Sequence, residues 1–252
     1  MILRLSGLAA LLAGAELLPR LGLVDPGYLP PASAVLAALG REAVTAPFWA
    51  AVADTLIAWA LGLFVAAAAG VAAGLLIGAV PVLRAWTAST IEFLRPIPSV
   101  ALIPLAVLLY GTGLGSTLLL VVYAAFWQVL VQVLAGVADA DPVADQTARS
   151  FGLGAWARLR YVLWPTALPY VFTGLRLAAA VALVLAVTAE LVIGAPGLGA
   201  VIAVAQTSGA IPTMYALIVV TGLLGVAVNA GARLAERRFL AWHQSVRSEV
   251  PA

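Results

Sequence analysis

Residues 52–80 are Ala, Val, Leu, Ile, Gly and aromatics, interrupted only by Asp54 and Thr55. A helix that crosses the hydrocarbon core of a bilayer needs about 20 such residues. The rest of the chain is just as apolar: 64% of its 252 residues are hydrophobic and 10% are charged, with a mean hydropathy of +1.10. Soluble domains carry about 45–50% apolar and about 25% charged residues. A soluble globular fold and disorder are both excluded on these grounds. The chain reads as an all-α polytopic membrane protein, with length for about six or seven spans and no room for a large soluble domain.

Six spans are predicted, over residues 2–18, 52–80, 97–110, 116–137, 170–193 and 213–232. The first is also open to reading as a cleaved signal peptide, since Arg4, an apolar run and Ala13-Gly14-Ala15 imitate one. Pro31 followed by Ser33 predicts a short interfacial helix up to about Glu42. The third span is short and carries Pro98 and Pro104, which predicts a kink. Residues 194–212, rich in Gly and Pro, read as a connection. The whole chain forms one transmembrane domain. Residues 1–50 supply the first span and an outer segment, 51–235 the core, and 236–252 a cytoplasmic tail. Placing the N-terminus in the cytoplasm puts every Arg except Arg20 and Arg41 on the inner side. That is a strong positive-inside bias, and it requires an even number of spans with both termini inside.

Several chemistries are ruled out. Without Cys there is no disulfide, thiol nucleophile or thiolate metal site. His243 is the only His, so no His cluster holds a metal. All 13 basic residues are Arg, so the Lys of a P-loop is missing. No carboxylate pair, Ser-His pair or metal-ligand spacing occurs, which leaves an intramembrane enzyme unsupported. The chain is expected to be non-catalytic and to need no cofactor. The net charge is only +2, and where the Arg residues lie says more than that total; membrane lipid is an expected partner and nucleic acid is not.

Gly62, Gly70, Gly74 and Gly78 mark a close-packing helix face, either within the bundle or between two copies. Glu190 sits late in the fifth span, towards the outer face, where a carboxylate is costly. It either faces a translocation cavity, ties its helix to a neighbour, or snorkels at the outer interface. Gln128, Gln132 and Asn229 are expected to bond between helices, Asp54 to be interfacial, and Arg176 to snorkel to the inner headgroups.

The polar segment 139–165 is the most informative stretch. It is long for an inner loop, and reads as two short helices broken at Gly152 to Gly154. It presents Phe151 and Trp156. Two readings stand: a docking surface for another protein, or an amphipathic hairpin lying on anionic lipid.

This segment resembles the loop motif of binding-protein-dependent ABC importer permeases. In words, the motif is Glu-Ala-Ala, three residues, Gly, nine residues, Ile, one residue, Leu-Pro. Gln146, Thr147 and Ala148 stand at the Glu-Ala-Ala positions, followed by Arg149. Gly152 matches the Gly, Val162 the Ile, Trp164 the Leu and Pro165 the Pro. Gln146 replaces the motif's acid. Further stretches resemble the nitrate, sulfonate and taurine branch of that family. They are Arg95-Pro96-Ile97-Pro98 through Pro104, Leu168 to Arg176, Ala189-Glu190 with Gly197-Leu198-Gly199, and Glu236 to Trp242. The resemblance implies a permease subunit in a bacterial inner membrane that moves a small solute, either an anion of that type or a related organic nutrient. It also implies a second permease copy, two ATPase subunits docked on the loop through Gln146, Thr147, Ala148, Arg149, Gly152, Trp156 and Pro165, and an external solute-binding protein. Glu190, Pro98 and Pro104 are then translocation or gate residues. The rival reading is a stand-alone secondary transporter or channel that uses Glu190 as its intramembrane site.

Overall fold

The computed structural model of the protein describes residues 2–240, and all regular structure among them is helical. His243 and the rest of the expected tail beyond Leu240 lie outside the described residues. In order, the helices are α1 (Ile2–Arg20), α2 (Ala32–Glu42), α3 (Ala46–Ala79), α4 (Pro81–Leu94), α5 (Ile103–Tyr110), α6 (Leu114–Ala138), α7 (Pro142–Ser150), α8 (Ala155–Arg158), α9 (Trp164–Ile193), α10 (Leu198–Thr207) and α11 (Ile211–Phe239). A π-helical turn, Leu159–Leu163, joins α8 to α9.

Among the described residues, four helical stretches are each long and apolar enough to cross a membrane: α3, α6, the continuous run Ala155–Ile193, and α11. A fifth arises if α4 and the segment Ser99–Tyr110 count as one bent span. The 19-residue α1 stands apart from that count.

Three boundaries depart from the sequence reading. First, the bend expected within the third span falls at its entry, where α4 and the segment Ser99–Tyr110 meet at 83°. Arg95 still closes the last turn of α4 with helical φ and ψ, and the chain turns extended at Pro98, the proline that biases Ile97 away from helical geometry. Pro104 lies in the first turn of α5, where a missing N–H costs nothing. Second, the hairpin's second helix does not end at Pro165. The π-helical turn just before it accommodates the lost ladder bond, and the helix runs on to Ile193. Third, the Gly/Pro-rich connection contains a full helix, α10.

The chain divides into two compact units, Met1–Leu56 with Val187–Leu224, and Ile57–Ala186 with Gly225–Ala252. The second unit is built on the glycine face of α3. A Cβ at Gly62 would strike Val121, and one at Gly70, Gly74 or Gly78 would come within 2.8, 2.6 or 2.9 Å of the Cβ of Val129, Val133 or Val137. Both sets of numbers climb together, so α3 and α6 run parallel. The chain therefore leaves α3 at one end of α6 and must begin α6 at the other. From Leu114 to Val137 that return is about 35 Å at 1.5 Å per residue, comparable to the hydrocarbon thickness. The bent segment through α4 and α5 makes it, and Tyr123 Oη donates to the Leu94 carbonyl at the end of α4 (2.7 Å). The glycine face is thus filled inside the chain, not left for a second copy.

Helix α9 runs antiparallel to α6: Gly136 sits against Ala167 and Tyr170, and Gly174 against Val129 and Gln132. Ala66, Val129, Val133, Ala178 and Ala182 form the buried centre of this three-helix seam. Trp59 Nε1 spans it, donating to the Ala179 carbonyl (2.9 Å). Gln128, Gln132 and Asn229 make no interhelical side-chain hydrogen bond among the described residues; the Gln132 Cβ faces Gly174 in the seam. Arg176, expected to snorkel, keeps its side chain 40% exposed. It pairs with Glu236 on α11 at 3.3 Å, a partner remote in sequence.

In the first unit, Phe48, Ala51 and Val52 of α3 pack on Leu198, Ile202 and Ala205 of α10 and on Leu217 and Val220 of α11. At its other edge Glu16 accepts from the N–H and hydroxyl of Ser33 (2.8 and 2.9 Å), which ties α1 to the start of α2.

Candidate functional site

The hairpin after α6 is built from local rules. Asp141 caps α7, its Oδ1 accepting from Val143 N (2.8 Å), and Pro142 occupies the first turn. Helix α7 ends where Gly152 takes a left-handed φ of 75°; the N–H groups of Phe151, Gly152 and Leu153 close the last turn onto Thr147, Arg149 and Ala148 carbonyls.

Asp145 binds the two arms together. Arg158 forks onto it, Nε to Oδ1 at 2.7 Å and Nη2 to Oδ2 at 3.2 Å. Arg149, one turn along, reaches Oδ2 with Nε at 3.0 Å and Nη2 at 2.9 Å. The hydrogen bond from Arg158 holds the Asp145 carboxyl below its ordinary value of 3.8; desolvation opposes this and Arg149 adds to it. At the root of the hairpin, Tyr170 Oη donates to Asp139 Oδ2 (2.9 Å).

Of the residues expected to dock a partner, Gln146, Thr147, Arg149, Gly152 and Trp156 are exposed, Ala148 is buried inside the hairpin, and Pro165 is half-buried. Phe151 and Trp156 stand 80% and 75% exposed. Two large aromatics thus project from the salt-bridged turn, an apolar exposure of the kind that marks contact with a protein or a membrane. Asp145 and Arg158 escaped the sequence reading. The i,i+4 spacing of Asp145 and Arg149 was a visible signal, whereas Arg158 reaches Asp145 only once the hairpin has closed.

The second constellation lies in the other unit. Glu190 is fully buried. Its Oε2 accepts from Thr55 Oγ1 (2.8 Å) and from Gly199 N (3.0 Å), and Thr55 Oγ1 in turn accepts from Leu198 N (2.9 Å). The carboxyl group therefore caps α10 from α9 and pins both to α3. Snorkelling at an interface is overturned by this burial. Gly197, at φ 148°, allows the approach, since a Cβ there would overlap the Glu190 carboxyl. A Cβ on Gly199 would collide with the Val187 carbonyl. Thr55 was missed because a lone threonine beside an apolar run carries no signal. Pro98 and Pro104 are exposed and belong to the unit that does not contain Glu190.

Comparison with known proteins decides the family. Residues 66–241 match the family described as binding-protein-dependent transport system inner membrane component. The chain belongs to that family. It is the permease subunit of a binding-protein-dependent ABC importer, a multi-pass membrane protein that works with ATPase subunits and a solute-binding protein. The taurine transport system permease protein TauC of Escherichia coli (strain K12) is 33% identical over 97% of this chain and 91% of its own length. The putative aliphatic sulfonates transport permease protein SsuC of Bacillus subtilis (strain 168) is 25% identical over 94% of this chain and 86% of its own. The nitrate import permease protein NrtB of Leptolyngbya laminosa is 29% identical over 73% and 65%. A chain of the MetNI methionine ABC transporter in inward-facing conformations has the same fold, with a TM-score of 0.62 at 19% identity, covering 73% of this chain and 92% of that one.

Proposed function

We propose that this permease imports a small sulfonate or a related small anion. A binding protein delivers the solute on the outer side, and two copies of the chain pair over two ATPase subunits. Both termini are cytoplasmic, with α1 as the first of six spans. The hairpin receives the ATPase through Gln146, Thr147, Arg149, Gly152 and Trp156. The chain itself is catalytically silent. Pro98, at the break between α4 and the segment Ser99–Tyr110, and Pro104, in the first turn of α5, serve as gate residues. One observation carries this reading: an ordered hairpin with Phe151 and Trp156 exposed is continuous with the membrane-length run Ala155–Ile193. Such a surface suits a partner that pushes on a membrane helix. A stand-alone transporter using Glu190 is disfavoured, because that carboxyl is buried and bonded within its own unit.

Co-expression with the candidate ATPase tests the proposal. The two should co-purify, and proteoliposomes with the binding protein should take up taurine or an alkanesulfonate only with ATP. Uptake by the chain alone would reject the reading. A Cys placed at Ala155 should resist an impermeant thiol reagent added to intact cells; labelling there would reverse the topology.

A further inference from the structure

The hairpin's contact with an ATPase says nothing of how movement of α7 reaches the membrane. Between α7 and α8 lie Gly152 and Gly154. Gly152 has nothing within 4 Å of where a Cβ would stand, so nothing packs against the turn glycine itself. The backbone bonds there close the end of α7 but do not tie it to α8. A turn of this kind bends under load.

The Asp145 carboxylate is what spans it. Both of its oxygens are taken by the chain's own arginines. The Asp145 and Arg158 side chains are only 20% and 22% exposed, whereas Arg149 is 63% exposed. The Arg158 contact is bidentate and largely screened from water, the geometry in which an ion pair is stiff rather than incidental. Arg158 also closes the first turn of the run that continues unbroken to Ile193.

We infer that Asp145 is the positioning residue of energy coupling: by gripping Arg158 it makes α7 and the α8–α9 helix one lever, so that displacement of a docked α7 reaches the membrane instead of being absorbed at Gly152. This rests on the importer reading above. It assigns Asp145 no contact with the ATPase, and it gives Arg149 a secondary share.

The test uses the complete assembly in proteoliposomes with its binding protein. Asp145→Asn and Arg158→Lys should leave ATPase co-purification and basal ATP hydrolysis intact. Solute taken up per ATP should fall at least about fivefold, the lower end of coupling between linked sites. The chain has no native Cys, so Asp145→Cys with Arg158→Cys allows a covalent replacement. A short bifunctional thiosulfonate joining the two should restore the uptake-to-ATP ratio, a rescue that a merely structural role would not show and that does not depend on the single variants folding well. An unchanged ratio in the single variants overturns the proposal. So does loss of ATPase binding, which would make Asp145 a docking residue, and so does failure of the cross-link to rescue. If the unmodified assembly shows no ATP-dependent uptake, the importer reading itself fails, which is a distinct result.

Discussion

Gly197 and Glu190 provide a double-mutant cycle whose outcome follows from the geometry. The Glu190 carboxyl accepts two buried hydrogen bonds, from Thr55 and Gly199. In membrane proteins such bonds are worth about 0.6–1.7 kcal/mol each, so Glu190→Ala should cost about 1–3 kcal/mol through them. Gly197 lies at φ 148° and ψ −178°, a region essentially restricted to glycine. Gly197→Ala therefore carries strain of about 1–3 kcal/mol. Its new Cβ also falls on the Glu190 carboxyl, displacing it and forfeiting the same two bonds. The single Gly197→Ala variant should thus lose about 2–6 kcal/mol, by adding the strain to the bonds. Once Glu190 is Ala the overlap disappears and the bonds are already gone. The double variant should be no less stable than Gly197→Ala alone, a coupling of about 1–3 kcal/mol relative to additivity. Unfolding by SDS in mixed micelles, followed by tryptophan fluorescence, measures all four corners. Glu190→Gln is the control, because its amide oxygen can accept both bonds, and it should stay near wild type. If the two losses add to within about 0.5 kcal/mol, Gly197 is not making room for this carboxyl and the capping account of α10 is wrong.

Three further perturbations test separate parts of the structure. Gly74→Ala should destabilise the chain by about 1–3 kcal/mol through overpacking; because the nearest atom is the Cβ of Val133, adding Val133→Gly should recover more than adding Val133→Ala in the same SDS titration. Gly152→Ala and Gly152→Trp should both fold, since only the left-handed φ opposes them, at about 1–2 kcal/mol; pull-down should show that Trp alone weakens ATPase binding. The third concerns acid. A carboxyl whose folded value is lowered contributes stability above its unfolded value and loses it as pH falls through the folded one. The Asp145 value lies below 3.8 in the fold, so the stability gap between wild type and Asp145→Asn should be flat from about pH 8 to 5 and shrink only at more acid pH; a gap that changes near neutral pH would contradict the clamp.

The long apolar stretches were legible because each is its own signal: a bilayer demands the same residue type for some twenty positions, whatever the neighbours are. The glycine spacing in α3 was legible as a close-packing face for the same reason. Its partner was not, because a valine row on α6 looks like any apolar helix until the parallel register is seen. Helix α4 was missed because Arg84, Thr87, Ser89, Thr90 and Glu92 make it too polar for a span. Helix α10 was missed because glycines and prolines flank it closely on both sides. Partners remote in sequence, Arg176 with Glu236 and Glu190 with Thr55, left no trace in any local window.

Proline and glycine mark boundaries without stating their sense. Pro81 and Pro104 begin helices, while Pro165 and Pro169 interrupt one helix without ending it, and the Pro96–Pro98 pair breaks a span. The difference lies in whether the N–H that proline lacks had a partner to lose, which depends on the turn before it. The glycines show the same ambiguity. Gly152 and Gly197 both take positive φ values, yet a side chain at Gly152 would meet open space and one at Gly197 would meet a buried carboxyl. At Gly152 only the backbone requires glycine, so substitution there reports on whatever docks from outside. At Gly197 the space requires it as well, so substitution reports on α10 itself. Identical letters thus answer to the backbone alone in one unit and to an internal cap as well in the other.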